Sequence, residues 1–163
     1  MCKGIFDSND QCQLSIDMVV GIGQIASLSA RTLHFIVDTG ATSTIISAAD
    51  AVRLGFSYDN KGRPLRNSVR LLYEGSAAGV GGRLKLYRLE SVFLTLVSHD
   101  PNNSERHTEY VKRVYVAGEK YQDESLMGMD LLRRFKITVD PETLEVNLSR
   151  IPVSGTSYLV QHS

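Results

Sequence analysis

The chain has 163 residues, and its 18 Lys and Arg are balanced by 18 Asp and Glu. The length suits one domain that buries roughly 70% of the surface its unfolded chain exposes; 42% hydrophobic and 22% charged residues exclude global disorder. Zero net charge excludes a whole-domain basic footprint for nucleic acid, though not a local basic patch.

Apolar residues fall in short runs separated by turn chemistry, which predicts a mainly β domain. Leu14, Ile16 and Met18 alternate with polar partners and predict a strand that ends in a turn at Gly21 to Gly23. Leu33 to Val37 is a second strand, closing at Asp38-Thr39-Gly40, and Thr44 to Ser47 is a short β-branched one. Ala48 to Leu54 predicts a helix with Ser47 as N-cap and Gly55 as its stop. Residues 57–68, with Gly62-Arg63-Pro64, read as a loop. Val69 to Tyr73 and Leu84 to Leu89 flank a small-residue segment, Gly75 to Gly82, and predict a hairpin with a glycine-rich tip. Val92 to Val97 and Tyr110 to Val116 predict a further strand pair, joined by an exposed polar loop over 98–109. Asp130 to Phe135 predicts a second short helix; Lys136 to Val139 and Leu144 to Leu148 predict a hairpin turning at Asp140-Pro141-Glu142. Residues 1–163 thus read as a single domain, with a core over about 14–148, an N-terminal arm at 1–13 and a C-terminal tail at 149–163.

Two cysteines, Cys2 and Cys12, are too few for a disulfide framework and lack the further ligands of a zinc site. The first residues place acidic and amide side chains where a signal peptide needs an apolar core. No run approaches the ~20 apolar residues of a membrane span. The expectation is a cytoplasmic protein with no membrane partner and no metal.

Asp38 ends an apolar run, Phe35-Ile36-Val37, where a carboxylate is costly unless it is hydrogen-bonded, paired or functional. Gly40 permits a sharp turn that brings backbone N–H groups to that carboxylate, and Thr39 adds a hydroxyl. Taken alone, this tripeptide reads better as an Asx-type turn closing a strand. Two further segments change that reading. Ala77-Ala78-Gly79-Val80-Gly81-Gly82 could form a mobile lid, although a lone glycine-rich tip is usually a plain turn. It is not a phosphate loop, because no Gly-Lys-Ser/Thr follows. Leu126-Met127-Gly128 leads into the second helix.

In this order the segments resemble the retroviral-type, or retropepsin-like, aspartic proteases, which implies a single acid-protease lobe. Ile36-Val37-Asp38-Thr39-Gly40-Ala41 is similar to the catalytic signature, and Gly79-Val80-Gly81-Gly82-Arg83-Leu84-Lys85-Leu86 to the flap. Leu126-Met127-Gly128-Met129-Asp130-Leu131-Leu132 is similar to the segment that crosses behind the catalytic loop and, followed by Arg133-Arg134-Phe135-Lys136-Ile137, is especially similar to that of bacterial and ubiquitin-shuttle members. The resemblance spans roughly Leu14 to Leu148. It departs from the retroviral pattern where an acidic residue and an arginine form a salt-bridge network, for Thr42 and Met129 stand there. Asp130 is expected instead to cap its helix or to bond the Thr42–Ser43 loop.

The resemblance implies an aspartic endopeptidase without cofactor. Two carboxylates must share a proton and hold a water, and the chain carries one Asp-Thr-Gly, so two copies must meet at Asp38 as a homodimer. Thr39 would brace the two loops, supported by Gly40 and Ala41. Val80 would offer a backbone N–H to a substrate carbonyl, with Ala78, Gly79, Gly81 and Gly82 shaping the flap around an extended peptide. Ala41 stands where many pepsin-like relatives carry a hydroxyl, which implies an active window nearer neutrality. A different class, a non-catalytic peptide-binding or dimerisation module of the same fold, has no need of the intact trio. A metal hydrolase using His99 and His107 is disfavoured, since both lie in the polar loop without helical spacing.

Overall fold

Alternation of side chains makes the core. In β2 (Gln13–Ile22) the side chains of Ile16, Met18 and Val20 are fully buried, and in β3 (Arg31–Val37) Leu33, Phe35 and Val37 are buried. With successive residues pointing to opposite faces, each strand offers one apolar face to a common interior. The structure, a computed structural model, describes residues 2–7, 13–22, 31–67, 69, 71–79, 82–97, 106–121, 124–140, 142–143 and 145–152.

The remaining elements in chain order are β4 (Ile45–Ile46), α1 (Ala48–Arg53), β5 (Ser57–Tyr58), β6 (Pro64–Leu65), β7 (Leu71–Gly79), β8 (Gly82–Val97), β9 (Arg106–Ala117), β10 (Ser125–Met127), α2 (Met129–Leu132), β11 (Phe135–Asp140) and β12 (Glu145–Arg150); β1 (Cys2–Asp7) precedes them. One sheet runs β11-β12-β1-β2-β3-β10-β4-β9-β8-β7, and an additional β2–β8 pairing closes it. The ring β2-β3-β10-β4-β9-β8 is therefore a barrel, filled by Phe35, Leu89, Leu94, Leu96, Val114, Met127 and Leu131. The β7–β8 hairpin projects from this ring, and β1, β11 and β12 extend the sheet on the other side. Among the described residues no helix is long and apolar enough to cross a membrane.

The mainly β expectation holds, and both short helices are present. Ser47 caps α1, its Oγ accepting from the Asp50 N–H at 3.2 Å, and Gly55 leaves the helix at φ +87°. Several boundaries differ from the sequence reading. Gly21 and Ile22 continue β2, because its second edge is taken by β8, with Gly21 opposite Phe93 and Ile22 opposite Val92. Residues 57–68 contain the β5–β6 pair, with Ser57 opposite Leu65. The runs Leu84–Leu89 and Val92–Val97 form one strand: Ser91 at φ 60° reverses the alternation, so Leu89 and Val92 are both fully buried. Helix α2 stops at Leu132, and Phe135 opens β11.

The polar stretch 98–109 is also divided. Residues 106–109 belong to β9, and Glu109 is buried, accepting from Arg134 Nη1 at 2.8 Å and pairing with Arg150. These two cations, from the turn after α2 and from β12, compensate a carboxylate that would otherwise be costly to bury. Residues 98–105, which include His99, lie outside the described residues, as do Cys12 and the hairpin tip Val80–Gly81.

Among the described residues, three carboxyls are held below their usual range. The Thr143 and Glu142 N–H groups lower Asp140, the Arg63 and Lys61 N–H groups lower Asp59, and the Tyr115 hydroxyl followed by Arg88 lowers Glu74. A carboxyl that is more acidic in the folded state contributes stability above its unfolded value and loses it as pH falls through the folded one. The melting temperature should therefore fall as pH drops below about 4. Asp140→Asn and Asp59→Asn, which remove one titrating group each, should show a shallower fall in circular-dichroism melts from pH 7 to 3. A slope equal to that of the wild type in both variants would contradict the assignment.

Candidate active site

Asp38 follows the last residue of β3, where the parallel pairing with β10 ends at Val37 opposite Met127. Its N–H donates to the Met127 carbonyl at 3.1 Å, extending that ladder by one bond. The chain then turns. Gly40 N–H donates to Asp38 Oδ1 at 2.8 Å and Ala41 N–H to the same oxygen at 3.2 Å. A Cβ on Gly40 would sit 3.2 Å from that oxygen, so the glycine lets the backbone close on the carboxylate. Asp38 Oδ2 has no partner among the described residues. Thr39 and Gly40 are exposed at the crest of the turn, and Asp38 is half-buried behind them.

The 126–128 segment holds this loop from behind. Strand β10 lies between β3 and β4, the two strands that the 38–44 loop connects. Leu126 is opposite both Ile36 and Ile45, and Met127 is fully buried. Beyond them the Met129 N–H donates to the Ala41 carbonyl at 2.8 Å and the Asp130 N–H to the Thr42 carbonyl at 3.2 Å. Gly128 packs on the loop itself: a Cβ there would lie 2.4 Å from the carbonyl carbon and oxygen of Ser43. Its φ of −90° is ordinary, so the requirement for glycine is one of space alone.

Thr44 is the bolt that the sequence reading treated only as a strand residue. Fully buried, its Oγ1 accepts from the Gly128 N–H at 3.2 Å and donates to Asp130 Oδ1 at 2.7 Å. Asp130 also accepts from the Leu131 N–H at 2.9 Å; it lies within α2, whose N-cap is Gly128 with no side-chain cap bond, so of its two expected roles the structure shows the tie to the loop and not the helix cap. A second network sits one turn away. Ser125 Oγ accepts from the Ser47 N–H at 3.0 Å and donates to Asp50 Oδ2 at 2.7 Å, joining β10 to α1. Buried polar groups of this kind are tolerable because each is satisfied.

The β7–β8 hairpin meets the loop at its base. Gly79 pairs with Gly82 and Ala78 with Arg83, so the strands reach the tip. Nearer the barrel, Ser43, Ser76, Leu86 and Tyr115 line a concavity of about 150 Å³ together with Glu74. The Tyr115 hydroxyl donates to Glu74 Oε2 at 2.5 Å, and Arg88 pairs with Glu74 and, at 3.2 Å, with Glu90. Burial, then the Glu74 carboxylate, pushes the Tyr115 hydroxyl up, so it stays protonated as a donor. A bulge between Tyr73 and Gly75, with Gly75 at φ +128°, sets Glu74 in this position. No cluster of three His, Cys, Asp or Glu side chains able to hold a metal occurs among the described residues.

Residues 26–134 match the family described as "gag-polyprotein putative aspartyl protease". Among solved structures the chain is similar to a retropepsin-like aspartic protease from Rickettsia conorii, at 21% identity and a TM-score of 0.53, over 90% of this chain and 88% of that one. It is also similar to EIAV protease complexed with the inhibitor HBY-793, at 16% identity and a TM-score of 0.47, over 78% of this chain and 91% of that one. No curated protein sequence matches. The family match takes in the Asp38 loop, the hairpin and the 126–128 segment alike: the chain belongs to the gag-polyprotein aspartyl protease family and has the retropepsin-like fold.

Proposed function

We propose that the protein is an aspartic endopeptidase acting as a two-fold symmetric homodimer, with one Asp38 from each chain at the axis. The observation that carries this reading is the state of Asp38. Two backbone N–H groups hold Oδ1, Oδ2 is unengaged among the described residues, and the loop crest beside it is exposed. A single carboxylate offers a base but no acid. Bringing in a second copy supplies both, since two neighbouring carboxylates share one proton.

The ionised Asp38 takes a proton from water as the water oxygen attacks the scissile carbonyl carbon, and the protonated Asp38 donates to the carbonyl oxygen. Collapse of the tetrahedral intermediate breaks the C–N bond, with a proton delivered to the leaving amine. Thr39 donates across the axis and braces the partner loop, a role that its exposure at the crest supports. Gly40 and Ala41 orient the carboxylate from behind. The hairpin around Val80 covers an extended peptide bound by main-chain pairing along Ala78 to Gly82. Leu126, Met127 and Gly128 support the loop and do not touch substrate.

The test is digestion of an unfolded protein, followed by mass spectrometry of the products, by wild type and by Asp38→Asn. Wild type should cleave, and the variant should lose at least about a thousandfold in rate. Equal cleavage by both would remove Asp38 from the chemistry. Saturable peptide binding by a wild type that cleaves nothing would instead identify a binding module.

A further inference from the structure

We propose that the cavity between the 59–63 turn and the base of the β7–β8 hairpin is a second polypeptide-binding site, which takes an acidic segment of a protein away from Asp38. The cavity is solvent-open and of about 540 Å³, lined by Asn60, Lys61, Arg63, Tyr73, Lys85 and Tyr87, with Asp59 at its edge. That volume is within the ordinary range for ligand sites.

Its charge is positive although the chain's net charge is zero. Asp59, the one acid among the described lining residues, is consumed by its own turn: Oδ1 accepts from the Lys61 and Arg63 N–H groups at 2.9 Å each, and Oδ2 pairs with Arg63 Nε at 3.2 Å. Lys61 and Lys85 are exposed and have no ion-pair partner among the described residues. The wall between them is aromatic. Tyr73 is 60% exposed and leans on Tyr87 with ring centroids 5.5 Å apart. An exposed aromatic face flanked by unpaired ammonium groups suits a chain that carries carboxylates around an apolar side chain. Three cations in a neutral protein are a weak footprint for nucleic acid, whose binding rests on many phosphate contacts.

The walls are fastened before any partner arrives. The Glu119 N–H donates to the Gly62 carbonyl at 3.1 Å, the Gly118 N–H to the Lys85 carbonyl at 2.9 Å, and the Tyr58 hydroxyl to the Ala117 carbonyl at 2.9 Å. A preformed site avoids the ordering cost of binding. Its position ties it to the concavity beside the Asp38 loop. Lys85 and Tyr87 lie on one face of β8, and Leu86, which lines the concavity with Ser43, lies on the other. A protein held in the cavity is thus held on the outer face of the hairpin whose inner face borders that loop. Calling that protein the substrate rests on the peptidase reading above; the binding does not.

The experiment measures binding directly in the Asp38→Asn protein, where nothing is cleaved. A dye-labelled peptide rich in Glu and Tyr is titrated by fluorescence anisotropy, beside a Lys-rich peptide of equal length and a single-stranded oligonucleotide. The Glu-rich peptide should bind, the Lys-rich one should not, and added salt should weaken the complex. Lys61→Glu with Lys85→Glu should lower affinity by about tenfold or more, and Tyr73→Ala should lower it as well, with circular dichroism confirming an unchanged fold. An undiminished affinity in the double-lysine variant would overturn the site. So would tighter binding of the oligonucleotide, or displacement of the peptide by millimolar inorganic phosphate, which would mark a mere anion site. Loss of peptidase activity in every assay, with this binding intact, would fault the catalytic reading and leave the site standing.

Discussion

Gly128→Ala should cost the protein roughly 3 kcal/mol or more of stability, and most of its activity at temperatures where it remains folded. The added methyl group would stand 2.4 Å from the Ser43 carbonyl carbon and oxygen and 2.8 Å from its nitrogen. These are backbone atoms, which cannot rotate aside as a side-chain terminus can. Either β10 or the 38–44 loop must move. Both are anchored, β10 by its pairing with β3 and β4 and the loop by the bonds from Met129 and Asp130 to the Ala41 and Thr42 carbonyls. The movement that relieves the clash also breaks the bond from the Gly128 N–H to Thr44 and shifts the carboxylate of Asp38. A displacement near 1 Å in a catalytic group can cost about a hundredfold in rate. Denaturant unfolding gives the stability loss, and kcat/KM at low temperature gives the activity loss. A Gly128→Ala protein with wild-type stability would mean that the segment does not pass this close to Ser43.

The loop was legible in sequence because its chemistry is local. Asp38 receives its hydrogen bonds from residues two and three positions on, so a carboxylate and a glycine at that spacing already describe the turn. Leu126-Met127-Gly128 was legible only beside it, since the reason for Gly128 is an atom of Ser43. What escaped the reading is non-local. Thr44 bonds Asp130 across 86 positions, and Ser47 bonds Ser125 across 78; neither serine nor threonine carries a local sign that it is a buried bolt rather than a cap or a strand residue. Glu109 looked like loop because its neighbours 98–108 are polar. Its burial depends on Arg134 and Arg150, which the chain delivers from two later elements.

Strand boundaries failed for a related reason. Pattern reading follows one edge of a strand, but β2 pairs with β3 on one side and with β8 on the other, and the second pairing carries it through Gly21 and Ile22. In β8 the left-handed Ser91 shifts the inward face by one position, which breaks the period of two between Leu84–Leu89 and Val92–Val97. The two halves read as separate strands although the backbone is continuous. The closed barrel follows from these two features together: β8 pairs with β9 on both sides of Ser91, and on its other edge it pairs with β7 as far as Leu89 and with β2 from Val92 onward.

Mixing wild-type chains with an equal amount of Asp38→Asn chains should reduce cleavage to about one quarter of that of wild type alone at the same total concentration, once subunits have exchanged. The substitution is chosen to leave the fold alone. An asparagine carbonyl oxygen can still accept from the Gly40 and Ala41 N–H groups that now reach Asp38 Oδ1 at 2.8 and 3.2 Å. It cannot share a proton with a facing carboxylate or take one from water, so a dimer with one Asn has lost either its base or its acid. With random pairing, about one dimer in four keeps two aspartates, and activity follows the square of the wild-type fraction. A chain that works by itself would be diluted, not poisoned, and the mixture would retain about half. The two outcomes separate most clearly across a series of mixing ratios, where one gives a parabola and the other a line. A line would show that a single Asp38 suffices, and the homodimer at the centre of the proposed mechanism would have to be abandoned even if every other residue kept its role.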